Sequence, residues 1–154
     1  MLNDISKRQL AASGWLEGRV ADTTPYKAMC KIQGYPLLEK ALKFVESYGG
    51  LRGEHKAYRS ATNMPFNFDS CEALQHTAKE RVNDYVERFG ESMVPVGEAF
   101  GGHLVLMITE KGSLIGGYDD YLAELGTTIE DGLNAIFDPK EYREIGTHPD
   151  SVDT

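Results

Sequence analysis

The sequence predicts a single domain of the α+β class. Amphipathic helical segments come first, three strand-like runs follow between residues 93 and 118, and one more helix comes after them. Strands that are grouped in this way, with helices before and after them, are typical of α+β folds. The length of 154 residues, with 41% hydrophobic and 26% charged residues, fits one globular domain.

Two helices are predicted in the first third of the chain, a short one over 4–13 and a stronger one over 35–48. The second has a broad apolar stripe at helical spacing. Pro36 suits its first position, because the N–H that proline lacks would have no partner there. Gly49 and Gly50 follow its last turn, where glycine can adopt the left-handed conformation that ends a helix.

A third helix is predicted over 71–89, where apolar side chains follow the helical repeat. Asp69 and Glu72 form a plausible capping box at its start. Just before this helix, Phe66 and Phe68 alternate with a polar residue, which indicates a short strand.

The strand-like runs cover 93–97, 103–109 and 113–118. The middle run is almost continuously apolar, as expected of a strand at the centre of a sheet. Gly112 lies in the turn between the second and third runs, where a positive φ is expected. Pro95 indicates an edge position or a bulge in the first run, because proline cannot donate a hydrogen bond to a neighbouring strand.

The last helix is predicted to begin at Thr127 or Thr128, with Thr127 and Glu130 as a candidate capping box. Beyond it the chain becomes polar and acidic. We therefore expect one domain over residues 1–138 and an acidic, loosely ordered C-terminal tail over residues 139–154.

The charge distribution disfavours nucleic acid as a partner. The net charge is −8, and residues 61–154 contain six Lys and Arg against eighteen Asp and Glu. A surface with this field repels phosphate backbones and attracts basic partners. The longest apolar run, residues 104–108, is too short to span a membrane. Cys30 and Cys71 are predicted to be free thiols in a reducing cytoplasm.

Neither a metal site nor a catalytic site is indicated. The four histidines lie far apart, without the spacing that places two imidazoles on one helical face. Cys71 lies near a helix start, but the acidic residues beside it predict an inert thiol. We therefore expect no cofactor, no metal and no enzymatic activity. A small hydrolase is the least favoured alternative, since the densest carboxylate pair, Asp119 and Asp120, lies in a polar turn.

A cluster of acidic and aromatic residues is the candidate partner-binding surface. Its members lie on one predicted connection after the third strand-like run: Tyr118, Asp119, Asp120, Tyr121 and Glu124. Tyrosine supplies a large contact area at a small entropic cost, and carboxylates pair with Arg and Lys and steer association. The alternative is that both tyrosine rings turn inward and belong to the core.

Trp15 is the only tryptophan and lies between Gly14 and Gly18. A lone tryptophan in such a segment usually packs its ring on the edge of the core. The alternative is a binding anchor, since tryptophan is enriched in interface hot spots.

Four short motifs, in this order and spacing, carry a family resemblance: Gly14-Trp15 with Gly18-Arg19, Tyr48-Gly49-Gly50-Leu51, Val94-Pro95-Val96-Gly97, and Leu125-Gly126 before a helix with Leu133 and Ile136. The chain resembles SUKH-superfamily immunity proteins over about residues 8–137, and it is most similar to their third subfamily. Residues 56–77 and the part beyond 138 do not follow the resemblance.

The resemblance implies an α+β fold of the cell-wall-synthesis-regulator type, a twisted antiparallel sheet flanked by helices. It also implies a cytoplasmic, non-enzymatic protein without a cofactor, which binds and neutralises a cognate toxin of a bacterial polymorphic toxin system. The shared residues would determine the fold rather than bind the toxin: Trp15, Gly18, Arg19, Gly49, Gly50, Pro95 and Gly97. We expect a monomer or weak homodimer. A general adaptor domain of the same fold, with a partner that is not a toxin, is the alternative.

Overall fold

The computed structural model describes residues 1–56 and 62–138, together with the backbone of residues 143–145. The helices are α1 (Asp4–Ala12), α2 (Thr24–Gln33), α3 (Glu39–Tyr48), α4 (Ser70–His76), α5 (Lys79–Phe89) and α6 (Ile129–Phe137). The strands are β1 (Arg52–Lys56), β2 (Asn63–Asn67), β3 (Met93–Ala99), β4 (Leu104–Thr109), β5 (Leu114–Tyr118), β6 (Tyr121–Gly126) and β7 (Arg143–Ile145). The domain is α+β, as the sequence predicts.

The seven strands form one antiparallel sheet whose order follows the chain, from β1 at one edge to β7 at the other. The junction between β2 and β3 is narrow, with the single registered pair Asn67 and Glu98. The strand β4 lies at the centre of the order, and all six of its residues are buried. This matches the continuous apolar run from which a central strand is predicted.

The helices flank the sheet and complete the core. The helices α3, α4 and α5 pack against β3, and α6 packs against β5 and β6. At the outside of this layer, α1 contacts α6 and β1, while α2 contacts α4. Among the described residues, no helix is both long enough and apolar enough to cross a lipid bilayer.

The helix predicted over 35–48 begins later than expected, at Glu39. Pro36 therefore does not occupy the first helical position. A residue before proline is disfavoured in the helical region, and the N–H of Tyr35 donates to the carbonyl of Cys30 at the end of α2. Residues 35–38 consequently link two helices instead of extending the second.

The helix predicted over 71–89 is two helices. Thr77 and Ala78 between them have extended backbones, with ψ angles of 122° and 134°. Half of the predicted capping box at the start is present: the side chain of Asp69 accepts the N–H of Glu72, but the N–H of Asp69 donates to Asn67 and not to Glu72. The break exposes Ala78, which the helical repeat places on the buried face.

Three further elements differ from the sequence interpretation. The sequence analysis did not predict the helix α2 or the strand β6. It predicted only one short strand in the segment where β1 and β2 pair. At the start of α6, Thr128 caps the helix by accepting the N–H of Asp131, so the capping box of Thr127 and Glu130 is wrong. The turn glycine is confirmed, because Gly112 has a φ of 101°.

The acidic tail predicted over residues 139–154 lies largely outside the described residues. Its residues 143–145 form β7, which pairs with Leu122, Ala123 and Glu124 of β6. The open edge of β6 offers this short stretch backbone partners, while a loosely ordered tail stays a prediction.

Trp15 and Arg19 both contact the end of α3. The ring of Trp15 packs on the core and stacks on Tyr48, with 6.1 Å between the ring centroids. The guanidinium of Arg19 donates to the carbonyls of Ser47 and Gly49 at 3.3 and 2.7 Å. A cation is favourable at a helix C-terminus, where the last carbonyls have no helical partners. These contacts support a structural role for the glycine–tryptophan motif.

A bulge in β3 accounts for Pro95 and Gly97. The register of β3 against β4 shifts between these two residues, and β3 lies inside the sheet, so the bulge and not the edge position is correct. The carbonyls of Pro95 and Val96 accept from the hydroxyls of Tyr26 and Ser70, at 2.7 and 2.6 Å. Hydroxyls from α2 and α4 thus satisfy buried backbone groups at the irregularity.

His55 joins β1 to the connection between β3 and β4. Its side chain is buried, its Nδ1 lies 2.9 Å from the carbonyl of Lys56, and its Nε2 accepts the N–H of Phe100 at 3.1 Å. These two partners require the neutral tautomer with the proton on Nδ1. The accepted bond holds Phe100, whose φ of 53° is unusual for a residue other than glycine.

We expect the free energy of unfolding to decrease as the pH falls below about 6.5, the ordinary histidine pKa. Burial lowers the pKa of His55, with a smaller opposing effect from its bond to Lys56. The unfolded chain then binds a proton that the folded chain excludes, so the stabilisation is complete above the unfolded pKa and is lost towards the folded one. Urea titrations of wild type and His55→Gln between pH 5.5 and 7.5 measure this. An equal pH slope in the two proteins would contradict the prediction.

Candidate functional site

The predicted acidic cluster lies at one end of the β5–β6 hairpin. Tyr118 ends β5, Asp119 and Asp120 form the turn, and Tyr121 begins β6 opposite Tyr118. Asp119 has a φ of 47°, a conformation that aspartate tolerates better than most residues. The interpretation of this segment as one connection is therefore corrected, because Tyr121 and Glu124 belong to a strand.

The structure brings three of the five predicted residues together at the surface. Tyr118 is 49% exposed, and Asp119 and Asp120 are exposed beside it. Tyr121, its partner across the hairpin, is half-buried and packs against the core, so the two tyrosines differ in exposure. Glu124 lies three positions further along β6, which places it on the opposite face, and it accepts from the hydroxyl of Ser113 at 2.9 Å.

Contacts with α5 fix the shape of the turn. The hydroxyl of Tyr85 donates to the carbonyl of Asp119 at 2.8 Å, and the guanidinium of Arg88 donates to the carbonyl of Asp120 at 2.7 Å. Arg81 lies 3.4 Å from the carboxylate of Asp119. Since two of these bonds reach backbone carbonyls, the carboxylates of the turn are presented on a rigid support.

The exposed side of α5 adds further acidic residues that the sequence analysis did not include. Glu80, Asp84 and Glu87 occur at positions i, i+4 and i+7, so they lie along one stripe of the helix. Asp84 contacts Arg88 at 3.3 Å, which connects the stripe to the turn. The helical spacing of these acids in the sequence could have indicated an acidic stripe on the helix. Only the packing of α5 against the β5–β6 turn shows that this stripe lies beside the turn.

We call this combined region the acidic surface. It consists of the turn residues Tyr118, Asp119 and Asp120 and the α5 residues Glu80, Asp84 and Glu87. Arg81 and Arg88 lie between the two groups and pair with Asp119 and Asp84. Acidic residues therefore outnumber basic ones, and the region has a negative net charge.

A groove of about 240 Å³ adjoins the turn. Its floor is one row across the sheet, in which Glu98 pairs with Val105 and Val105 pairs with Gly117. One wall is the junction of α4 and α5, and the other contains His103 and Tyr118. At Gly117 a Cβ atom would lie 2.6 Å from the Tyr85 ring, so glycine is needed for this close approach.

The groove contains a carboxylate that is largely withdrawn from solvent. The side chain of Glu98 is 13% exposed and lies 3.3 Å from Nδ1 of His76. The ring of His103 approaches the ring of Tyr118 edge-on, with 6.1 Å between the centroids. An acidic group at the base and an aromatic ring on the wall are features that suit a cationic side chain.

A larger cavity of about 440 Å³ lies between α3, the β4–β5 turn and the start of α6. Its charged lining residues have both signs: Lys40, Lys43, Lys111, Glu46 and Glu130. Burial raises the pKa of Tyr48 in its lining to about 12, with a smaller contribution from the charge of Glu130. Because the charges nearly cancel, this cavity has no clear preference for a charged partner.

The described residues contain no group of three or more His, Cys, Asp or Glu side chains that could hold a metal ion. Both cysteines are free, with Cys30 buried and Cys71 half-buried. Burial raises the pKa of each thiol, and the charge of Asp69 contributes at Cys71. A thiol with a raised pKa is a poor nucleophile at neutral pH, which agrees with the interpretation of Cys71 as inert.

Comparisons with known proteins identify the family. The model of the SUKH-3 immunity protein family matches residues 3–138, which include the helices α1 to α6 and the strands β1 to β6 described above. No curated protein and no solved structure matches the chain significantly. Because the family match covers most of its length, the chain belongs to the SUKH-3 immunity protein family.

Proposed function

We propose that the protein binds and neutralises a cognate bacterial toxin domain and that the acidic surface makes the contact. Membership of an immunity protein family is the observation that carries this proposal. The acidic surface supplies a site with a definite chemical preference, because its exposed carboxylates favour a basic partner. The protein itself would catalyse no reaction and would act by covering the toxin's active site or substrate groove.

A basic nuclease is the toxin class that this surface suits best. A nuclease needs positive charge to hold a phosphate backbone, and an acidic protein surface can occupy the same positive groove. Opposite charges would raise the association rate, and this gain would decrease at high salt. A tight pair would bury about 1,200–2,000 Å² in total, with roughly 20–30 residues on each side, so the residues of the acidic surface would be only part of the interface.

The rigidity of the turn favours tight binding. Bonds from Tyr85 and Arg88 to the turn carbonyls hold the carboxylates in place before a partner arrives. A surface that is already ordered loses less conformational entropy on association. We further propose that the protein acts in the cytoplasm without a cofactor, as a monomer or weak homodimer.

Co-expression with the toxin encoded beside its gene tests the proposal. We expect cells that produce the active toxin to survive only when this protein is present, and we expect the two purified proteins to form a stable complex. A catalytically inactive toxin variant serves as the control for expression burden. If a toxin of verified activity is neither bound nor inhibited, the proposed function is wrong.

A further inference from the structure

We propose that the groove beside the turn is an anchor pocket for an arginine side chain of the partner, with Glu98 at its base and Tyr118 on its wall. This inference rests on the proposed function and specifies what the bound protein must present. The groove of about 240 Å³ is several times larger than the roughly 30 Å³ that a water molecule occupies in the liquid, so a side chain can enter it.

The base of the groove offers a carboxylate with spare acceptor capacity. An ionised carboxylate has about four lone-pair sites, whereas His76 can donate a single N–H to Glu98 through Nδ1. The remaining oxygen sites lie on a side chain that is 13% exposed, where water is scarce. A guanidinium can donate two parallel N–H bonds to such a carboxylate.

The floor and wall favour a planar cation with an apolar stem. Val105 gives the floor beside Glu98 an apolar surface, and the Tyr85 ring covers Gly117 next to it. Tyr118 lines the side of the groove, and an arginine stacks on an aromatic face more readily than a lysine does. The aliphatic part of the arginine would lie over Val105, beside the Tyr85 ring that covers Gly117, while its head reaches Glu98.

Arg81 also lines the groove and carries the same charge as the proposed guest. Its guanidinium lies 3.4 Å from the carboxylate of Asp119, so its charge is offset at the rim. Apart from its histidines, the charged residues that line the groove are Arg81, Glu98 and Asp119, which together carry one negative charge. The entering arginine would bring this net charge to zero. The arginine therefore restores the charge balance of the pocket.

A titration with a small probe tests the pocket without the toxin. N-acetyl-arginine amide is added to the isotopically labelled protein, and the NMR signals of the Gly117 amide and the His76 and His103 rings are followed. We expect saturable shifts with a millimolar Kd. N-acetyl-citrulline amide, which has nearly the same shape but no charge, should bind at least about tenfold more weakly, as the loss of a charge-assisted bond predicts.

Two variants and a matched control locate the effect. Glu98→Gln removes the charge with almost no change in volume, and Tyr118→Ala removes the aromatic wall at an exposed position; each should weaken arginine binding by about three- to tenfold or more. Glu110→Gln makes the same change at an exposed residue at the far end of β4 and should have no effect. Equal binding of the arginine and citrulline probes, or equal binding by Glu98→Gln and Glu110→Gln, would overturn the inference.

The failure of the pocket and the failure of the proposed function are distinguishable. If the wild type neutralises the toxin and Glu98→Gln binds that toxin with unchanged Kd, the pocket is wrong while the immunity function stands. If the wild type does not neutralise an active toxin, the immunity function is wrong whatever the arginine probe does.

Discussion

Replacing Phe68 with alanine is expected to lower the free energy of unfolding by about 3–5 kcal/mol, the usual range for a buried phenylalanine. The side chain is fully buried, and its ring lies 5.2 Å from the ring of Phe44 and 4.6 Å from that of Phe66. Gly97 approaches so closely that a Cβ atom there would lie 3.0 Å from the Phe68 ring. Truncation would therefore leave a cavity where α3, β2 and β3 meet.

The backbone around Phe68 limits the collapse of that cavity. Its N–H donates to the carbonyl of Leu51 at 2.8 Å, and its carbonyl accepts from Gly50 at 2.9 Å. These bonds hold the backbone of the segment after α3 in place, which limits how far it can move into the space. Small domains have a total stability of about 5–15 kcal/mol, so the expected loss is a large part of the whole.

Urea denaturation followed by Trp15 fluorescence measures the effect, since Trp15 stacks on Tyr48 in the folded state. Phe68→Leu keeps most of the volume and should cost less than about 1.5 kcal/mol. Leu16→Ala is the surface control: Leu16 is 75% exposed, so its loss should stay within about 0.5 kcal/mol. A loss below about 1 kcal/mol for Phe68→Ala would show that this site does not hold the core together.

Local sequence patterns predicted the elements whose apolar residues follow one simple pattern along the chain. The apolar stripe of α3 and the continuous run of β4 are of this kind. The sequence analysis missed α2 because its apolar residues do not mark one buried face: Ile32 is 79% exposed, and only Tyr26 and Cys30 are buried. The sequence analysis missed β6 because its neighbouring residues Leu122 and Ala123 are both fully buried, so burial does not alternate along the strand.

The candidate site was also only partly predictable from the sequence. The turn residues Asp119 and Asp120 are neighbours in sequence, so composition alone could single them out. The groove could not be predicted, because Glu98, Val105 and Gly117 come from three strands and meet only through the register of the sheet. Likewise, Thr77 and Ala78 bend the chain between α4 and α5, and no periodic signal marks that bend.

Reversing two charges of the acidic surface should weaken toxin binding by at least about a hundredfold. The double variant Asp120→Lys with Glu87→Lys changes one exposed residue of the turn and one of α5. It leaves Asp119 in place, because its φ of 47° would strain a lysine. Like charges that are brought together across an interface cost several kcal/mol, and a hundredfold change in Kd corresponds to about 2.7 kcal/mol.

Binding of a catalytically inactive form of the toxin, measured as Kd and association rate at low and high salt, decides whether the effect is local. The control variant Glu17→Lys with Glu110→Lys produces the same net charge from two exposed acids outside the acidic surface. Both variants lose the same long-range attraction, but only the first places lysines against the toxin's basic groups. A similar, salt-sensitive loss in both variants would mean that the overall charge steers the toxin while another face binds it.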